Sequence, residues 1–219
     1  MIIVIEGTDG SGKQTQTELL YKFLKSLNKK VIKQSFPNYE SKSSELVKQY
    51  LNGEFGDLKA LTPFQASVFF SVDRFLTMQK YKKFLSDGGI LLLDRYVSSN
   101  IIHQASKIED GIVRKKFIKE LEHFEYDNLN LPKADLTIFL DLCPKLSKKL
   151  RDERNELKSG TKKDIHEANF DYLKNCYKIG KQVAKTKNWE IIKCFEKDKV
   201  LDIQKIQNKI QNVVKNYLI

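Results

Sequence analysis

The stretch Gly7-Thr8-Asp9-Gly10-Ser11-Gly12-Lys13 places three glycines ahead of a lysine. Glycine backbones turn tightly and can aim successive N–H groups at one anion. Lysine adds a full positive charge on a flexible stem. Gly7, Gly12 and Lys13 have the spacing of a G-x-x-x-x-G-K-[ST] phosphate loop, except that Gln14 fills the last position and Thr15 comes one residue late. Asp9 is a carboxylate inside that loop, a residue type that also serves as a turn former. A second group is Asp94-Arg95-Tyr96, in which the arginine fork matches phosphate oxygens. A third is Phe70 with Arg74, four residues apart and so on one face if helical.

These residues need a scaffold that brings them together. Ile2-Ile3-Val4-Ile5 reads as a strand buried on both faces, and Thr17 to Leu24 has helical apolar spacing. The glycine loop therefore lies at a strand-to-helix turn, where the helix dipole and unpaired amides favour an anion. Further strands are expected at 31–35, 90–93, 136–140 and 189–194. Helices are expected at 43–51, from Thr62-Pro63 to about Leu85, at 98–106, 111–125, from Pro144 into the charged segment 151–163, at 164–187 and at 201–217. Five strands alternating with helices predict an α/β fold of three layers, a five-stranded parallel sheet with helices on both faces. Ligands then bind beyond the carboxyl ends of the strands, the edge that carries the glycine loop, Phe36, Asp94-Arg95 and Asp141.

The 219 residues carry a net charge of +11 and suffice for one α/β domain. The lysines are spread over the outer faces of most helices with no interleaved aromatics, which argues against nucleic acid as the main partner and suits phosphate-bearing small substrates. No apolar run is long enough to span a membrane, and Met1 leads directly into the first strand. Cys143, Cys176 and Cys194 are scattered without metal spacing, as in a reducing cytosol. A cytoplasmic protein is expected, with no linker dividing residues 1–219.

Four stretches agree in order and spacing: Glu6 to Lys13, Phe36-Pro37-Asn38-Tyr39, Phe70-x-x-x-Arg74, and Asp94-Arg95-Tyr96-Val97-x-Ser99-Asn100. Together they resemble the thymidylate kinase family of P-loop nucleoside monophosphate kinases. The resemblance implies transfer of a phosphoryl group from ATP to dTMP, giving dTDP, with Mg²⁺ and in a homodimer. A kinase for another nucleoside or nucleoside monophosphate, or a non-catalytic nucleotide-binding module, is the alternative.

The resemblance also implies roles for particular residues. ATP would lie on Gly7, Thr8, Asp9, Gly10, Ser11, Gly12, Lys13, Gln14 and Thr15. Phe36 would close the acceptor pocket, Tyr39 would bond the acceptor phosphate, and Phe70 would stack on thymine. Arg74 would bond O4 and Asn100 N3, His103 would crowd the sugar's 2′ position, and Gln104 would line the pocket. Arg95 would hold the acceptor phosphate or the group in flight. Asp94 would either meet Mg²⁺ through water or orient Arg95 and Lys13. Asp9 would face the acceptor's 3′-hydroxyl and the metal. Residues 151–164 would form a lid over ATP, with Arg151 and Arg154 supplying positive charge that the loop, having no arginine, does not.

Overall fold

A computed structural model describes residues 1–157, 165–166 and 169–218, with the backbone alone over 154–157. Its centre is a parallel five-stranded sheet in the order β2-β3-β1-β4-β5. The strands are β1 (Ile2–Glu6), β2 (Val31–Ser35), β3 (Ile90–Asp94), β4 (Leu136–Asp141) and β5 (Glu190–Lys193). β1 lies between β3 and β4, in register Ile2↔Leu91 on one side and Ile3↔Leu136 on the other.

Side chains alternate across a strand, and the two apolar clusters follow that alternation. Ile3, Ile5, Leu92 and Ile138 face helices α1 (Lys13–Ser26) and α9 (Ile203–Tyr217), meeting Leu20, Leu24, Ile206, Ile210 and Val214. Ile2, Val4, Leu91 and Leu93 point the other way, onto Phe36, Tyr96, Met78, Leu121, Ile179 and Val183. The second layer comprises α3 (Pro63–Gln79), α5 (Val97–Ala105), α6 (Gly111–Glu122) and α8 (Phe170–Thr186). Each fully buried isoleucine or leucine contributes about 1.5–3 kcal/mol, so these two clusters hold the strand ends in fixed relation.

Helix starts follow local chemistry. Thr62 and Gln65 form a capping box ahead of Pro63. Asp110 accepts hydrogen bonds from the amides of Ile112 and Val113. Three expected boundaries are corrected. The helix from Pro63 does not run to Leu85; it ends at Gln79, because the Lys80 and Tyr81 amides tighten onto Thr77 and Met78 and the Tyr81 hydroxyl donates to Gln34. A short α4 (Lys82–Ser86) follows. α8 begins at Phe170, where the Asn169 side chain caps the Tyr172 amide, rather than at 164. α6 stops at Glu122 and continues as a π-helical turn, His123–Asn128. A small antiparallel hairpin, β6 (Phe195–Glu196) with β7 (Lys199–Val200), was not expected. The region 43–51 is a 3₁₀ turn, Lys42–Ser44, leading into α2 (Glu45–Leu51).

α8 passes close to β4 at Gly180, where an added Cβ would lie 2.9 Å from Phe139. Gly180→Val is expected to lower stability by about 1–3 kcal/mol through overpacking, because valine recovers little of glycine's helix penalty. Urea unfolding should show a lower midpoint with an unchanged slope; an unchanged midpoint would refute the close approach.

Candidate active site

The phosphate loop spans the turn from β1 into α1. Gly12 caps α1 in a left-handed conformation, φ 86°, and no side chain caps the helix. The first-turn amides therefore remain for an anion. At Gly10 an added Cβ would lie 2.4 Å from the Ser147 carbonyl oxygen and 3.4 Å from Arg151 Cβ. Helix α7 (Pro144–Leu157) thus rests directly on the loop. Lys13 is buried, and its ammonium donates to the Thr8 carbonyl at 3.0 Å. Burial, then the charge of Arg95, lowers its pKa, with Asp9, Asp94 and Glu6 opposing.

Several buried polar atoms around this loop have no hydrogen-bond partner among the described residues: Thr8 Oγ1, Ser11 Oγ, Thr17 Oγ1, and Nε and Nη1 of Arg151. Buried polar groups are seldom left so. This set of hydroxyls and guanidinium N–H groups is what phosphate oxygens would satisfy. Gln14 and Thr15 are exposed, so Thr17 supplies the buried hydroxyl of the first turns. Arg154 and the rest of the expected lid through residue 164 lie outside the described side chains.

Arg95 follows β3 with φ 70°, a left-handed conformation that costs an ordinary residue of order 1–3 kcal/mol and persists only where its surroundings fix it. Here they do. Nη2 donates to Asp9 from the loop, Nη1 donates to Ser99 Oγ at 2.9 Å and lies 3.3 Å from His103 Nε2, and Glu6 Oε1 is 3.7 Å away. Glu6 is fully buried and accepts from the Gly7 amide and the Ser98 and Ser99 hydroxyls. The Asp9 carboxyl is held below the usual carboxylate range: burial works against ionisation, but Arg95 and then Lys13 outweigh it. Burial disfavours the Arg95 charge, and Asp9 and Glu6 more than restore it. Arg95 is thus oriented by Asp9, Ser99 and Glu6, whereas Asp94 makes no side-chain hydrogen bond or ion pair among the described residues. Of the two roles anticipated for Asp94, orienting Arg95 by contact is not observed.

All nine residues expected around the acceptor line one cleft of about 100 Å³: Asp9, Phe36, Tyr39, Phe70, Arg74, Arg95, Asn100, His103 and Gln104. Asp9 and Arg95 form the end next to the phosphate loop. Phe36 packs on Tyr96 with ring centroids 6.0 Å apart, and Phe70 meets Tyr50 edge-on at 6.0 Å. Phe69 packs against Tyr50 and Phe55, as a core aromatic. Tyr39 is exposed at the mouth. Both amide atoms of Gln104, and Oδ1 of Asn100, are buried without a partner among the described residues.

The sequence reading missed part of this wall. His166 stacks on His103, with centroids 5.5 Å apart and planes 9° from parallel, and its Nε2 lies 3.1 Å from the Tyr50 hydroxyl. Glu125 binds Arg74 from behind. Neither has a local signal, since both partners come from distant elements. Asp141, at the ligand edge of the sheet, is instead engaged by the Tyr177 hydroxyl at 2.7 Å and Lys181 at 3.0 Å, and so anchors α8 to β4.

A parallel sheet whose first strand ends in a glycine phosphate loop, beside a cleft with an arginine at its inner end, defines a P-loop phosphotransferase. The thymidylate kinase family profile matches residues 5–210. Thymidylate kinase of Mycobacterium tuberculosis is 29% identical over 168 residues, covering 76% of this chain and 78% of that protein. That of Caldicellulosiruptor saccharolyticus is 28% identical over 218 residues, 99% of this chain and 96% of that protein. The Schizosaccharomyces pombe enzyme is 31% identical over 146 residues, 67% of this chain and 63% of its own. The chain belongs to the thymidylate kinase family.

The stacked histidines make stability depend on pH. Burial, then Arg95, Lys13 and Lys107, pushes His103 down to about 3 against the pull of Asp9. Burial and the neighbouring His103 hold His166 well below the ordinary value. Both are neutral in the fold, while an unfolded histidine protonates near 6.5. Between those values the unfolded chain binds more protons, so stability falls as pH drops below about 6.5, by up to about 1.4 kcal/mol per unit for each ring. Asp9 contributes in a separate window, below about 3.8. His103→Gln should roughly halve the loss between pH 6.5 and 5 in urea titrations; an unaltered pH profile would contradict the burial of a neutral ring.

Proposed function

We propose that this protein transfers the γ-phosphoryl group of ATP to dTMP, giving dTDP and ADP for dTTP synthesis, through the residues described above. The observation that carries the reading is the single cleft that holds Arg74 and Asn100 at one end and Asp9 with Arg95 at the other, adjoining the phosphate loop. The loop amides, Lys13 and the hydroxyls of Thr8 and Ser11 hold the donor phosphates. Arg95 holds the dTMP phosphate in line with them. An oxygen of that phosphate attacks the γ-phosphorus as the bond to the bridging β,γ-oxygen breaks, and ADP leaves with the electron pair. The attacking oxygen is already anionic, so no general base is needed; catalysis lies in positioning and charge neutralisation.

Mg²⁺ fits the residues present. It keeps most of its waters and takes one or two carboxylates together with substrate phosphates, and Asp94, which makes no side-chain hydrogen bond or close ion pair among the described residues, would meet it through water. The ion would supply charge neutralisation of the donor phosphates. No described helix is long and apolar enough to cross a membrane; a cytoplasmic enzyme is part of the proposal. A homodimer is also part of the proposal.

Arg74 offers only donors, so O4 of thymine is matched and the amine of cytosine is not. In a coupled assay of ADP release, dTMP is expected to give the highest kcat/KM. dUMP should fall about tenfold below it for the lost methyl group, and dCMP about a hundredfold or more. Equal values for dTMP and dCMP would refute the base-reading end of the cleft.

The lid is proposed to supply its charge through Arg154 on the transferring phosphate and Arg151 on the donor nucleotide; the Arg151 Nε and Nη1 are buried without partners among the described residues. Arg151→Ala should slow single-turnover transfer about a hundredfold while leaving dTMP affinity nearly unchanged. A wild-type single-turnover rate would remove Arg151 from the mechanism.

A further inference from the structure

Glu125 is a fully buried carboxylate in the π-helical turn His123–Asn128, behind the base-reading end of the cleft. It accepts from Arg74 Nε at 2.8 Å and Nη2 at 2.5 Å, and from Asn100 Nδ2 at 2.8 Å. Asn100 Nδ2 also faces the Ser67 carbonyl at 3.2 Å and Ser71 Oγ at 3.3 Å. Turning the Asn100 amide over would set its oxygen against a carboxylate and a carbonyl, acceptor to acceptor. The amide is therefore fixed, and its Oδ1, buried without a partner among the described residues, is the atom left for a ligand. On Arg74 the same carboxylate occupies Nε and Nη2 and leaves Nη1. The cleft thus offers a donor beside an acceptor, in an order set by one group that touches no substrate.

We infer that Glu125 is the positioning residue that sets base specificity, by fixing the donor–acceptor polarity that Arg74 and Asn100 present to a 4-oxo, N3–H pyrimidine; this rests on the base-reading role proposed for those two residues. A base with an acceptor at N3 and an amine at position 4 meets the reverse polarity at both places. The general physical reason is that a buried unpaired polar group discriminates strongly. Glu125→Gln keeps the size but turns one acceptor into a donor. At Oε1 that donor would face both Arg74 Nη2 and Asn100 Nδ2, and at Oε2 it would face Arg74 Nε, so in either placement the bonds that orient Arg74 and Asn100 together are broken and the polarity is no longer held.

The test measures kcat/KM for dTMP, dUMP and dCMP, with the KM for ATP as a second readout, in Glu125→Gln, Glu125→Asp and Asn100→Ala. Glu125→Gln is expected to lower the dTMP-to-dCMP ratio by about tenfold or more, with the KM for ATP within about twofold of wild type. Glu125→Asp, one methylene shorter, must release Arg74 or Asn100 and should lower the ratio about fivefold. It serves as the test variant if Glu125→Gln does not fold. A ratio unchanged in whichever variant folds overturns the inference. If Asn100→Ala lowers the ratio while the Glu125 variants do not, only the role of Glu125 falls. If Asn100→Ala also leaves it unchanged, the base-reading assignment falls first.

Discussion

The ion cluster of Arg95 with Asp9 and Glu6 is the interaction on which the site depends. It joins two stretches of chain that are distant in sequence: the end of β1 with the phosphate loop that follows it, and the turn from β3 into α5. A buried pair gains stability only when its remaining hydrogen bonds are satisfied, and here Ser98, Ser99 and the Gly7 amide complete the set. The cost of the left-handed backbone at Arg95 is borne by the same contacts. The guanidinium is consequently held in one orientation before any phosphate arrives, which lowers the entropy lost on binding.

The sheet explains why such a cluster can form at all. Placing β1 between β3 and β4 sets Ile5 opposite Asp94 and Glu6 opposite Phe139. The loop after β1 and the arginine after β3 then emerge side by side. The two apolar clusters on either face fix that register, because a shift by one residue would turn every side chain to the other face.

Much of this was legible in the sequence. Continuous β-branched runs disclosed the buried strands, the glycine spacing disclosed the loop, and helical spacing put Phe70 and Arg74 on one face, which the family resemblance assigned to the cleft. What was not legible depends on contacts between distant elements. Glu6 reads as an ordinary strand end until Ser98 and Ser99 are seen beside it. Glu125 lies 51 positions from Arg74, in a turn whose wider winding has no compositional mark. His166 gains meaning only from the ring it stacks on, and the break at Lys80–Tyr81 from the hydroxyl bond to Gln34 on β2. Asp141 shows the converse, a carboxylate at the ligand edge that is spent on holding a helix.

The π-helical turn has an evolutionary consequence. A π turn accommodates one residue more than the α-helical turn it replaces, and removing one residue from it would swing Glu125 by about 100° around the axis. The carboxylate would then leave Arg74 and Asn100 without either residue having changed. On the role inferred for Glu125, the choice of base in a lineage of such enzymes would shift by the gain or loss of a single codon in a turn that does not itself line the cleft. Comparing substrate preference among relatives by aligned contact residues alone would overlook that change.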